Sequence, residues 1–158
     1  MKLYVMRHGP AEDSSSTGRD FDRVLTPSGL TRTRRVAHEL ARHDETPRRL
    51  LSSPLARARE TAAAVAKALD LDVEVEICDE LSPGGDVPGL VRSLLGEGAR
   101  RVLIVGHEPD MSGLVEGLLP GSVRGFDKAM VVGLRLRAGV PAALRFVLEP
   151  REPVLRRA

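Results

Sequence analysis

The tetrapeptide Val102-Leu103-Ile104-Val105 is apolar at every position. A strand with one face in water alternates apolar and polar side chains, so an unbroken apolar run needs both faces covered. That condition holds for an interior strand of a parallel sheet with helices packed on its two sides. Further strand-like runs lie at 3–6, 50–51, 130–136 and 144–148. The run 73–77, Val73-Glu74-Val75-Glu76-Ile77, alternates instead and belongs toward an edge.

Helical periodicity fills the intervals. Leu30, Thr33, Ala37, Leu40 and Ala41 share one face of a helix that starts near Pro27 and that Thr26 can cap. Leu55, Ala58, Ala62, Val65, Ala66 and Leu69 make a second stripe behind the Ser53-Pro54 step. A third lies behind Asp86 (Val87, Leu90, Val91, Leu94, Leu95) and a fourth behind Asp110 (Met111, Leu114, Val115, Leu118, Leu119). Strand–helix alternation predicts an α/β three-layer sandwich: a mostly parallel central sheet, helices on both faces, and an antiparallel C-terminal strand at one side. The last two strands are joined through Ala138-Gly139-Val140-Pro141, too short for a crossover helix, so they form a hairpin. A single domain over 1–150 is expected, with 11–23 a mobile loop and 151–158 a flexible tail.

Charge narrows the function classes. Twenty-four Lys and Arg against twenty-two Asp and Glu leave a net +2, and four aromatics are too few for a base-stacking platform, so no nucleic-acid partner is expected. The single cysteine, Cys78, excludes an internal disulfide and a multi-cysteine metal site and is expected to be buried. The first apolar run falls short of the roughly 7–15 residues of a secretory segment and the ~20 of a membrane span. No membrane partner and a cytoplasmic location are the expectation.

In open parallel sheets, ligands bind beyond the carboxyl ends of the strands. Reading those positions gives Arg7-His8-Gly9, then Ser52-Ser53-Pro54 with Arg57 one turn into the following helix, then Gly106-His107-Glu108-Pro109. Two guanidiniums and two imidazoles delivered to one side of a sheet suit a dianion, because arginine forks match phosphate oxygens. One imidazole can attack phosphorus while the other donates to the developing charge. Gly9 and Gly106 would let the backbone approach the anion closely. His38 and His43 lie away from any strand end and read as surface residues.

These residues resemble a family. Met6-Arg7-His8-Gly9 is similar to the signature of the histidine phosphatase superfamily, the phosphoglycerate mutase-like fold. Ser53-Pro54-Leu55-Ala56-Arg57-Ala58 with Thr61, and Val105-Gly106-His107-Glu108-Pro109, resemble its second and third motifs. The short length, Leu25-Thr26-Pro27-Ser28-Gly29 and Phe126-Asp127-Lys128-Ala129 resemble the SixA-type phosphohistidine phosphatase branch. The resemblance implies His8 as nucleophile, with Arg7, Arg57 and His107 holding the phosphate. Arg23, Arg19 and Gly9 become candidate substrate contacts, although solvated loop charge explains Arg19 equally well. It implies no metal and no cofactor, since the arginines supply the positive charge.

Larger members of that superfamily carry a Glu after the third strand as general acid, whereas here Pro83 stands at that place in Asp79-Glu80-Leu81-Ser82-Pro83. An alkoxide leaves slowly without a proton donor, while an imidazole brings its own proton near neutral pH. The expected activity is therefore a metal-independent phosphatase acting on phosphohistidine of a protein, a phosphotransfer domain or a phosphocarrier. Glu108 and Glu80 remain candidate acids, and a structural pairing of Glu108 with an arginine is the stronger reading. The alternatives are a phosphatase for small phosphate esters and a phosphate-binding module without turnover.

Overall fold

Seven strands and four helices account for the chain in a computed structural model describing residues 1–158. The strands are β1 (Lys2–Arg7), β2 (Arg49–Ser52), β3 (Val75–Ile77), β4 (Arg101–Gly106), β5 (Val131–Arg137), β6 (Val140–Glu149) and β7 (Val154–Arg157). The helices are α1 (Pro27–Arg42), α2 (Ala56–Ala68), α3 (Val87–Gly96) and α4 (Asp110–Leu118). One sheet has the order β3-β2-β4-β1-β5-β6-β7. Strands β3, β2, β4 and β1 run parallel; β5 then adds antiparallel to β1, β6 antiparallel to β5, and β7 antiparallel to β6.

The pleat explains the layering. Leu3 and Val5 of β1, with Val102 and Ile104 of β4, point to the face covered by Val91 and Leu94 of α3 and Leu114 and Val115 of α4. Tyr4 and Met6, with Leu103 and Val105, point to the face covered by Val36, Ala37 and Leu40 of α1 and Ala58, Ala62 and Val65 of α2. The run 102–105 is therefore buried on both sides, as its composition demanded. Thr26 caps α1 by accepting from Gly29 N at 2.9 Å, and Asp86 caps α3 by accepting from Gly89 N at 2.9 Å. No helix is long and apolar enough to cross a membrane.

Several boundaries depart from expectation. β3 keeps only Val75–Ile77 of the alternating run, paired on one side by β2. β6 starts at Val140, so Val140 and Pro141 belong to a strand and the hairpin turns at Ala138-Gly139, where Gly139 takes φ +71°. Pro141 is tolerated there because β7 pairs only with Phe146–Glu149, leaving no partner on its outer side. The tail does not hang free: β7 seals the sheet edge, with Leu155 buried between exposed Val154 and Arg156. One buried leucine among charges is too short a pattern to announce a strand. The segment 11–23 is likewise tied down, by a 3-10 turn at Asp20–Asp22 and a bridge between Ala11 and Leu25. Ala41 faces solvent, with Val36 taking its place in the α1 stripe, and Cys78 is half-buried at the margin of the α3/α4 core.

Candidate active site

Parallel pairing sets the geometry of the site. Arg7 lies opposite Gly106 in the register of β1 and β4, so the next residues, His8 and His107, leave adjacent strand ends together. The His8 N–H donates to Gly106 O at 3.0 Å, and the two imidazole centroids stand 5.2 Å apart. Ser52 lies opposite Val105, which brings Ser53 beside His107. All three of His8, Ser53 and His107 are buried.

The hydrogen bonds assign the tautomers. His8 Nδ1 lies 2.8 Å from Gly9 O, and a carbonyl only accepts, so Nδ1 carries the proton and Nε2 keeps a free lone pair. Ser53 Oγ accepts from Leu55 N at 3.2 Å and lies 2.8 Å from His107 Nε2. Leu55 N, itself a donor, and His107 Nε2 are the two partners of this buried hydroxyl, so its own proton finds an acceptor at Nε2 and Nδ1 of His107 becomes a donor. That Nδ1 is buried without a partner, as are Nε of Arg7 and Nε of Arg57. Buried polar groups are normally paired, so three unpaired donors around one imidazole lone pair describe a place for an anion.

Neighbouring elements hold these groups still. Thr61 Oγ1 donates to Arg57 O at 2.7 Å and accepts from Gly9 N at 3.0 Å, pinning α2 to the segment after β1. Arg7 Nη1 donates to Phe126 O at 2.7 Å. Ala129, in a left-handed conformation at φ +72°, gives its N–H to the carbonyls of Arg7 and His8, both at 3.1 Å. Burial, reinforced by Arg57, Arg7 and the second histidine, lowers His8 to about 3. Burial and Arg57 lower His107 to about 4, against the pull of Asp110 and Asp20. Both rings are neutral at ordinary pH in this state.

Comparison with known proteins agrees with this geometry. The family model for the histidine phosphatase superfamily (branch 1) matches residues 3–85. Phosphohistidine phosphatase SixA of Escherichia coli is 37% identical over 125 residues, covering 77% of this chain and 76% of its own. This chain belongs to the histidine phosphatase superfamily. A SixA homolog of Haemophilus influenzae is 34% identical over 128 residues, 75% of this chain and 77% of its own. The structure of the protein histidine phosphatase SixA complexed with tungstate superposes with a TM-score of 0.86 at 30% identity, covering 95% of this chain and 97% of that one. The chain is of the SixA type within the superfamily.

Around this histidine-phosphatase core the remaining candidates separate. Arg23 reaches the site indirectly, donating from Nε to Asp20 Oδ1 at 2.9 Å and from Nη1 to Glu12 O at 3.1 Å. Arg19 stays outside, paired with Asp22 and lying over the Phe21 ring, with 67% of its side chain exposed. A Cβ on Gly9 would meet Thr33 Oγ1 at 2.7 Å, and one on Gly106 would meet Met111 Cε at 2.6 Å. At Gly9 the short Thr33 side chain and the Gly29 carbonyl of α1 hold the position to glycine through helix packing, whereas at Gly106 the flexible end of Met111 has room to give way. Glu108 pairs with no arginine: its two oxygens accept from Ser112 N (3.1 Å) and Ser112 Oγ (2.8 Å), closing the first turn of α4. Glu80 and Pro83 are exposed. His38 is exposed as expected, and His43 bonds Glu39.

Three contributors escaped the sequence reading: Ser53 as orienter of His107, Asp110 beside His107, and Asp20. Asp110 accepts from Gly84 N at 2.8 Å. Asp20 accepts from Arg57 twice, at its carbonyl (2.9 Å) and at Oδ2 (3.1 Å). The strand register could have flagged Ser53; the i,i+3 spacing of Asp20 and Arg23 was the only local hint for the third. A cavity of about 760 Å³ adjoins the site, lined by Glu108, Phe126 and Met130 among others. No three His, Cys, Asp or Glu side chains gather as metal ligands do.

Proposed function

We propose that this chain is a phosphohistidine phosphatase of the cytoplasm that works without a metal and transfers the phosphoryl group through His8. One observation carries the reading: a neutral, buried His8 whose Nε2 lone pair is free, ringed by unpaired donors on Arg7, Arg57 and His107. His8 Nε2 attacks phosphorus in line; the bond to the leaving nitrogen breaks and its electron pair stays with that nitrogen. Water then attacks phospho-His8 and releases phosphate. His107 donates Nδ1–H, and the arginines donate Nε–H, to the equatorial oxygens that gain charge in each transition state. Their positive charge does the work that Mg²⁺ does in other phosphoryl-transfer sites.

The leaving group follows from what the site lacks in reach. Glu108 spends both oxygens on Ser112, and Glu80 and Pro83 are exposed. With Glu108 committed to Ser112 and Glu80 exposed, the favoured substrate brings its own proton, as a protonated imidazole does. The SixA relatives, named for phosphohistidine, support a phosphohistidine-bearing protein as the partner, a phosphotransfer domain or a phosphocarrier. The test is kcat/KM on such a phosphoprotein against a panel of alkyl and aryl phosphates, in EDTA. We expect the phosphoprotein to lead and EDTA to leave its rate unchanged. Faster hydrolysis of alkyl phosphates would transfer the protein to the ester-phosphatase class.

A further inference from the structure

Asp20 is the one carboxylate hydrogen-bonded to either arginine of the site. Its Oδ2 accepts from Arg57 Nη2 at 3.1 Å, its Oδ1 accepts from Arg23 Nε at 2.9 Å, and its carbonyl accepts from Arg57 Nη1 at 2.9 Å. Held from two sides, the carboxylate cannot swing away without breaking both ion pairs. Its side chain is 64% exposed where that of Arg57 is 7% exposed, so Asp20 lies on the solvent side of the guanidinium. A fixed negative charge at the mouth of a dianion site opposes the binding of phosphate itself. It therefore invites a function at that mouth.

The direction of attack supplies one. His8, Arg57 and His107 are all buried (6%, 5% and 3% exposed) and together close the inner side of the site, away from the exposed Asp20 side chain. In-line displacement by the buried His8 sends the leaving group toward the solvent side, the side on which Asp20 stands against Arg57. Two of the carboxylate's approximately four acceptor positions are taken by arginines, which leaves room for another donor. A leaving phenolate or alkoxide gains negative charge there and is repelled. A protonated imidazole carries positive charge and an N–H, and is attracted.

We propose that Asp20 is a specificity-determining residue that receives the protonated imidazole of the substrate and so favours N–P over O–P bonds. This deepens the reading of the site given above and rests on it. As the His8–phosphorus bond forms, the substrate's P–N bond breaks and its electron pair neutralises the imidazolium. The proton on the ring's other nitrogen stays there, hydrogen-bonded to Asp20, so the leaving group departs as neutral imidazole. Asp20 neither gains nor loses a proton. Burial alone would raise its pKa, but Arg57 and Arg23 together hold it below the ordinary carboxylate value, as an acceptor requires.

The experiment compares wild type, Asp20→Asn and Asp20→Glu on phosphoimidazole and on p-nitrophenyl phosphate, with inorganic phosphate as inhibitor. Asp20→Asn should lower kcat/KM for phosphoimidazole about tenfold, raise it for the aryl ester, and tighten phosphate inhibition. Asp20→Glu should restore most of the N–P preference. Because each ratio is taken on one preparation, partial unfolding cancels. Equal change on both substrates, or an unchanged ratio, overturns the role of Asp20. Wild type without activity on phosphoimidazole or on a phosphohistidine protein overturns instead the phosphohistidine reading itself, which separates the two failures.

Discussion

Buried charge collects at both ends of the parallel strands, under opposite terms. At the amino ends, Glu45 is 1% exposed and accepts from Lys2 (3.1 Å), Tyr4 (3.0 Å), Arg157 (3.4 Å) and Arg145. One carboxylate there gathers three cations from β1, β6 and β7. At the carboxyl ends, two arginines and two histidines meet with Asp20 alone as a hydrogen-bonded counter-charge, and three of their N–H groups find no partner. Arg145 also keeps an unpaired Nε, but beside a carboxylate that already balances its charge. The contrast teaches that burial does not mark function. Missing counter-charge does, because folding alone leaves such a cluster uncompensated until a ligand arrives.

The largest expected effect lies at the unbalanced end. His8→Ala should abolish turnover with an unchanged circular dichroism spectrum, and Arg57→Ala should lower kcat by roughly 10²–10³, the usual cost of a preorganised donor. Brief reaction of wild type with labelled substrate should trap acid-labile phosphate on His8, and on no other residue.

Glu45→Gln should do the reverse. Stability should drop by about 3–5 kcal/mol in denaturant titration, the range for breaking a buried ion pair, with kcat per folded molecule unchanged. A fall in kcat without loss of stability would erase the distinction between the two ends.

A smaller effect separates the ends by pH. The unfolded histidines protonate near 6.5, whereas folded His8 and His107 hold out to about 3 and about 4. The unfolded chain binds more protons across that window, so stability should decline as pH falls from about 6.5 toward 4. His8→Ala should flatten the decline. The pKa of Glu45 is lowered by its hydrogen bonds to Arg145, Lys2 and Tyr4, against the opposing effect of burial. Its contribution is complete above the ordinary 4.5 and is lost only as pH falls through the lower folded value, so Glu45→Gln should leave the upper slope intact. The smallest effect belongs to Arg19→Ala, which should change neither kcat/KM nor the thermal midpoint, since its only ion pair is exposed.

Legibility in the sequence followed the range of each pattern. The run 102–105, the strand-end histidines and Arg57 one helical turn past Ser53 are local, and each lands where its neighbours in the chain imply. The cap residues Thr26 and Asp86 behave the same way. What stayed hidden depends on partners distant in the chain. Glu45 reads as a loop charge until β6 and β7 bring Arg145 and Arg157 to it, and Asp20 reads as another until α2 offers Arg57. The strand β7 was invisible because Leu155 has no apolar neighbour of its own face to repeat it. Glu108 misled for the opposite reason, since its partner Ser112 is only a helical turn away and an arginine was sought.

His8 sits at the end of β1, the middle strand of seven, clasped in parallel by β4 and antiparallel by β5. Peeling β1 free means parting the two halves of the sheet, which is unfolding of the whole molecule rather than a local fluctuation. Amide hydrogens of β1 should therefore exchange with solvent only through global opening. Those of the turn at Asp20–Asp22, anchored chiefly by side chains, should exchange far sooner. Heat or denaturant should thus take apart the paired histidines and the fold in one event, with no folded population lacking that cluster accumulating on the way.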